Sequence, residues 1–131
     1  MEKRLYKRIQ VGLASNFIVK YNPIGLREFG GYIDNLSENG LKISITNPFY
    51  ASIFRSIKTG NIISFQSVDE YEICGVRRID VLAGEAEVVR VDTEGPNTVI
   101  GCRIFEPTEE YEEYVKNKKT SLFINAGCVA V

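Results

Sequence analysis

Apolar and polar residues alternate over much of this chain. Leu41, Ile43 and Ile45 are interleaved with Lys42, Ser44 and Thr46, the period of a strand with one buried face. Ile9 to Val19 is rich in β-branched and apolar residues and predicts a longer strand, with Gly12 marking a bulge or bend. Further strands are predicted at Tyr32-Ile33 after Gly30-Gly31, at 62–68, at 71–76, at 81–91 with a bend near Gly84, and at 98–105. Glu94-Gly95-Pro96-Asn97 reads as the turn before the last of these.

Two segments carry a helical period instead. Asn47 is suited to cap a helix with Pro48 at its first position, and Phe49, Ile53 and Ile57 then share a face up to Gly60. This predicts a short extra helix near 48–58. A second helix is predicted over 107–119, with Thr108 as its cap. Glu109, Glu110, Glu112 and Glu113 crowd its start and Lys116, Lys118 and Lys119 its end, an order that suits the helix dipole. Tyr111, Tyr114 and Val115 form its apolar face. The pattern therefore predicts an all-β dominated fold: a small antiparallel barrel with a C-terminal α-helix against it.

Composition narrows the functional classes. With 131 residues the chain is sized for one domain, read as 1–131 throughout, and 44% apolar content supplies a core. The net charge is −1, so an anion site must be a local patch and a general polyanion binder is disfavoured. No run of about 18 apolar residues predicts a membrane span, and the basic N-terminus has no apolar stretch behind it to make a signal peptide. Histidine is absent, which excludes histidine bases and histidine metal ligands. Cys74, Cys102 and Cys128 have neither metal-ligand spacing nor an obvious disulfide framework, and a reduced, cytoplasmic protein is the simplest expectation. Cys74 and Cys102 fall in predicted strands and read as small buried hydrophobes. No nucleophile–base pair, metal cluster or phosphate loop is present to suggest an enzyme, a metal or a cofactor.

Two clusters carry candidate chemistry. Arg4 and Arg8, with Lys3 before them, put two planar cations four residues apart; each guanidinium is able to grip a phosphate bidentately or stack on a base. Taken alone, this is also what a solvated basic terminus looks like. Asn35, Ser37 and Gly40 lie between two predicted strands; the first two are short hydrogen-bonding side chains, and the glycine admits a close approach. Alone, they describe an ordinary turn.

In combination, Arg4-x-x-x-Arg8 followed by Asn35-x-Ser37-x-x-Gly40 resembles the two signatures of the PilZ family, RxxxR and [D/N]xSxxG. Gly40-Leu41-Lys42-Ile43, the segment Gly84 to Val91, and Ile100 to Phe105 with a helix after it resemble the family's later strands, so the likeness covers about residues 3–120. The resemblance implies a six-stranded barrel that binds cyclic di-GMP. Arg4 and Arg8 would hold phosphates and guanine faces. Asn35, Ser37 and Gly40 would line the barrel surface. Residues 1–8 would form a flexible segment that wraps the ligand. Lys3, before the first motif arginine, leaves open whether one nucleotide or a stacked pair is bound.

The implied function is a receptor that changes conformation on binding and signals to a protein partner in motility, exopolysaccharide or virulence machinery, as a monomer or a dimer. Two alternatives remain: a PilZ-like adaptor that binds no nucleotide, and a small barrel that binds single-stranded nucleic acid through Lys3, Arg4, Lys7 and Arg8. Near-neutral charge speaks against the second.

Overall fold

The computed structural model describes residues 8–21, 25–46, 57–94, 97–104 and 106–129. Six strands and one helix make up the described chain: β1 (Ile9–Tyr21), β2 (Gly25–Leu36), β3 (Gly40–Ile45), β4 (Ile62–Ile73), β5 (Val76–Glu94), β6 (Asn97–Arg103) and α1 (Glu109–Val129). The strands close into an antiparallel barrel in the order β1-β2-β3-β6-β5-β4. This is the small barrel the alternation predicted. Phe17, Phe29, Ile33, Ile43, Ile63, Leu82 and Ile100 point inward and are almost fully buried, and the Phe17 and Phe29 rings stack at 5.3 Å.

The elements run longer than the sequence pattern indicated. β2 begins at Gly25, well before the predicted Tyr32. The predicted strands at 62–68 and 71–76 are one strand up to Ile73, followed by a tight turn. That turn places Cys74 at φ 48° and Gly75 at φ 86°, the left-handed pair that matches the twist of a two-residue hairpin. Cys74 is therefore exposed at a hairpin tip and not buried in a strand. It is also disulfide-bonded, which corrects the expectation of a chain without disulfides. Cys102 is free and buried, as its strand position predicted. The predicted helix near 48–58 falls almost wholly outside the described residues; Ile57 and Lys58 are described and are not helical.

The C-terminal helix begins as predicted. Thr108 Oγ1 accepts from the Tyr111 amide at 3.1 Å, an N-cap. It continues to Val129, past the predicted end at Lys119; no glycine or proline follows Lys119 until Gly127, so nothing in the sequence stops the helix where the charges suggested. Its buried face is the predicted one: Tyr111, Tyr114 and Val115 are at most 1% exposed. Tyr114 donates to Asp69 at 2.6 Å, Lys118 pairs with Asp69 at 2.9 Å and lies over the Tyr71 ring, and Ser121 donates to the Glu72 carbonyl. The helix thus covers the far half of β4. The near half pairs with β1 only between Asn16 and Lys20; beyond that, Ser15 and Ser67 hydrogen-bond across the seam at 2.8 Å. Among the described residues no helix is long and apolar enough to cross a membrane.

Candidate ligand-binding site

Asn35 reaches the outer surface of the barrel through an irregularity in β2. Ile33 pairs with Ile43 and Asn35 with Lys42, so Asp34 has no opposite residue in β3. On the other side, Val11 and Gly12 lie between the pairs Gln10–Asn35 and Leu13–Ile33. Gly12 takes φ 56° there, a conformation open to glycine at little cost. The bulge shifts the inward-outward phase by one residue. Ile33 and Leu36 are both fully buried, and Asp34 and Asn35 between them both lie partly exposed. Ser44 donates to Asp34 at 2.7 Å and holds the bulge in place.

Arg8 meets this surface. Its Nη1 donates to Asn35 Oδ1 at 3.2 Å, across 27 residues of chain. Its guanidinium lies against the Cα of Gly40: a Cβ at position 40 would stand 3.1 Å from Arg8 Nη2 and 3.0 Å from the Cys102 carbonyl oxygen. Glycine at 40 is thus required by two close approaches, one from the Cys102 carbonyl and one from the Arg8 side chain. An open concavity next to this contact is lined by Gln10, Asp34, Asn35 and Lys42.

The turn after β2 is tightly organised. The Ser37 amide donates to the Gly40 carbonyl at 2.8 Å, and the Ser37 hydroxyl donates to Asn39 Oδ1 at 3.1 Å. Ser37 is 1% exposed. Beneath it, the Tyr111 hydroxyl donates to the Ser37 carbonyl at 2.5 Å and, more weakly, to the Gly40 carbonyl at 3.3 Å. Burial pushes the Tyr111 phenol well above its ordinary pKa; the Arg8 charge opposes this and Glu38 adds to it. At Glu38, burial disfavours the ionised carboxyl, but the Lys119 hydrogen bond, a backbone hydrogen bond and the Lys119 charge outweigh it, and the pKa falls below 4.5. The helix therefore grips the turn at two points, through Tyr111 and through Lys119.

Of the residues singled out in the sequence, the structure brings Arg8, Asn35 and Gly40 into one contact. Ser37 faces into its own turn. Lys3 and Arg4 lie outside the described residues. The sequence did not single out Tyr111 as an anchor of the turn, nor the Glu38–Lys119 pair. Spacing marked Tyr111 as buried, but which carbonyls its hydroxyl would reach depends on how the helix docks. Among the described residues no group of three or more Cys, Asp or Glu side chains is placed to hold a metal ion.

The barrel, its strand order and its C-terminal helix define a PilZ-like fold. The inhibitor of motility MotI/DgrA of Bacillus subtilis superimposes with a TM-score of 0.63 at 15% identity, over 95% of this chain and 53% of that one. The cyclic di-GMP-bound PilZ domain of YcgR from Escherichia coli gives 0.57 at 12% identity, covering 96% and 94%. PlzA of Borreliella burgdorferi, also solved with cyclic di-GMP, gives 0.50 at 11% identity, covering 92% and 52%. The chain spans about half the length of the MotI/DgrA and PlzA chains. No protein-family model and no curated protein sequence matches it.

Proposed function

We propose that this chain is a cyclic di-GMP receptor whose site is the outer barrel surface around Arg8, Asn35 and Gly40. The observation that carries this reading is the Arg8–Asn35 hydrogen bond, made while the same guanidinium lies on Gly40. It joins the two motif halves that resemble the PilZ signatures. The ligand is a dianion with two flat purines. It requires cations that also stack, and arginine offers both properties where lysine offers charge alone. Two of the similar folds were solved with this nucleotide.

In this reading Arg8 pairs with a phosphate or guanine face, and Asn35 offers an amide able to donate and accept. Ser37 holds the turn, and Gly40 keeps the surface open. Arg4 and Lys3 would close over the ligand from the N-terminal side. The dinucleotide is a cytoplasmic messenger, so the reading places the chain in the cytoplasm, where an exposed disulfide at Cys74 is open to reduction. The protein is then a binding module with no reaction of its own. Its output is a changed contact with a protein partner, and one similar fold is named as an inhibitor of motility.

Isothermal titration with cyclic di-GMP tests the proposal. Charge-assisted hydrogen bonds contribute about 1.5–3 kcal/mol each, so Arg8→Ala should weaken binding by about 10- to 100-fold. Wild-type protein that shows no binding at micromolar concentrations would sink the reading.

A further inference from the structure

On the N-terminal side of Asn16, β1 turns away from β4. The two strands pair only from Asn16–Gln66 to Lys20–Ile62, and past Asn16 side chains hold the seam. Ser15 donates to Ser67 at 2.8 Å, and Ser67 donates to the Ala14 carbonyl at 2.7 Å. Over this seam lies a concavity of about 620 Å³, lined by Ala14, Asn16, Gly30, Tyr32, Thr46 and Gln66 among others. That volume falls in the range of small-molecule sites, roughly 300–1,000 Å³. The concavity crosses β4, β1, β2 and the end of β3, a width of roughly 14 Å at strand spacings of about 4.8 Å. It shares no described lining residue with the contact between Arg8, Asn35 and Gly40.

Its chemistry is neutral. No described lining residue is charged, although charged residues make up 25% of the chain. A phosphate or carboxylate would give up hydration here and gain no counter-charge. Asn16 and Gln66 are exposed and stand directly opposite each other, with Cβ atoms about 4.5–5.5 Å apart as cross-strand neighbours are. Each amide carries two donors and a carbonyl acceptor, so the pair offers both polarities side by side. Adjacent hydroxyls on one ring, each a donor and an acceptor, match that pair. At the other side Tyr32 is 48% exposed and offers an apolar ring face with a hydroxyl at its tip.

The floor between them is open. Gly30 pairs with Asn16, and no atom lies within 4 Å of where its Cβ would stand. Its neighbour differs: a Cβ on Gly31 would meet the Ser44 carbonyl oxygen at 2.9 Å. Packing requires glycine at 31 but not at 30, where glycine weakens the strand with no return from packing. What it provides is space between an amide pair and an aromatic ring. An added peptide strand fits less well, because the Ala14 carbonyl on that edge already accepts from the Ser67 hydroxyl.

We propose that this concavity is a second binding site, for a neutral saccharide. A sugar ring lies over Gly30 with its apolar face on Tyr32, and its hydroxyls pair with the Asn16 and Gln66 amides. The site is separate from the nucleotide site proposed above and does not depend on that reading.

Amide chemical shifts of the intact chain, titrated with cellohexaose, maltohexaose and chitohexaose, test the assignment. Oligogalacturonate and a glycine-serine peptide serve as controls. At least one neutral oligosaccharide should give saturable shifts at Asn16, Gly30, Tyr32 and Gln66 below about 10 mM, and the controls none. Asn16→Ala and Gln66→Ala should each weaken binding about 2- to 10-fold, the loss of one neutral hydrogen bond. Tyr32→Ala should weaken it about tenfold. Gly30→Val should abolish it by filling the floor, with circular dichroism unchanged. The assignment is overturned by no saturable shift with any neutral oligosaccharide, by equal binding of a control, or by binding that survives Gly30→Val.

Discussion

The Tyr111 hydroxyl donates to the Ser37 carbonyl at 2.5 Å, across 74 residues of chain. It joins the C-terminal helix to the turn that carries the candidate site. Removing the hydroxyl would leave a buried carbonyl without its donor, at a cost of about 1–3 kcal/mol. Tyr111→Phe should therefore lower stability by that amount in urea unfolding. It should also speed amide exchange at Ser37 and Gly40 before global unfolding, because the turn loses its support from below.

Gly40→Ala tests the close approach directly. The new methyl would meet a backbone oxygen at 3.0 Å and the Arg8 guanidinium at 3.1 Å. The Arg8 side chain, rather than the strand backbone, is what has to shift. The variant should lose about 1–3 kcal/mol, and the Arg8–Asn35 hydrogen bond should break. If cyclic di-GMP is bound here, Gly40→Ala should also weaken its affinity as measured by calorimetry.

Much of the fold could be read from the sequence, because period-two alternation survives wherever one strand face is buried. Ile43 and Ile45 could be placed from their neighbours alone. The site was less legible. Asn35 lies outside the barrel only because Asp34 is bulged; Gly12 marked the irregularity opposite it in β1, but nothing in the sequence marked the one in β2. Strand ends were misjudged where a turn used Cys74 in a left-handed conformation, a position where asparagine or aspartate would have been the recognisable signal. The helix ran beyond Lys119 because favourable terminal charges do not themselves stop a helix.

Lys118 and Asp69 form a largely enclosed ion pair, 14% and 12% exposed, with Tyr114 donating to the same carboxylate. Lys118→Met would leave the carboxylate without its counter-charge. A loss of about 3 kcal/mol is expected, measured by chemical denaturation at neutral pH. Lys116→Met, on the exposed side of the helix, should change stability by less than about 0.5 kcal/mol.

The Glu38–Lys119 pair sets a pH dependence. The folded-state pKa of Glu38 is depressed below 4.5, so its contribution is fully present above that value. It is lost as the pH falls through the folded-state pKa. The stability difference between wild type and Lys119→Met should be constant near neutrality and narrow below pH 4.5. A difference that stayed constant down to about pH 3 would contradict the pairing.

Burial pushes the Cys102 thiol up to about 12, with the nearby Arg8 charge opposing the shift. In the native protein at about pH 8 it should resist thiol-labelling reagents, since the thiolate is the reactive form. Labelling should become rapid on unfolding in denaturant.

The central claim is that cyclic di-GMP binds where Arg8 crosses Asn35 and Gly40. Amide chemical shifts recorded during a titration test it most directly. The predicted result is a saturable change centred on Arg8, Gln10, Asn35 and Ser37 to Lys42, moved to about 10- to 100-fold higher ligand concentration by Arg8→Ala and absent with GMP. Shifts confined to other parts of the barrel, or none at all, would contradict it.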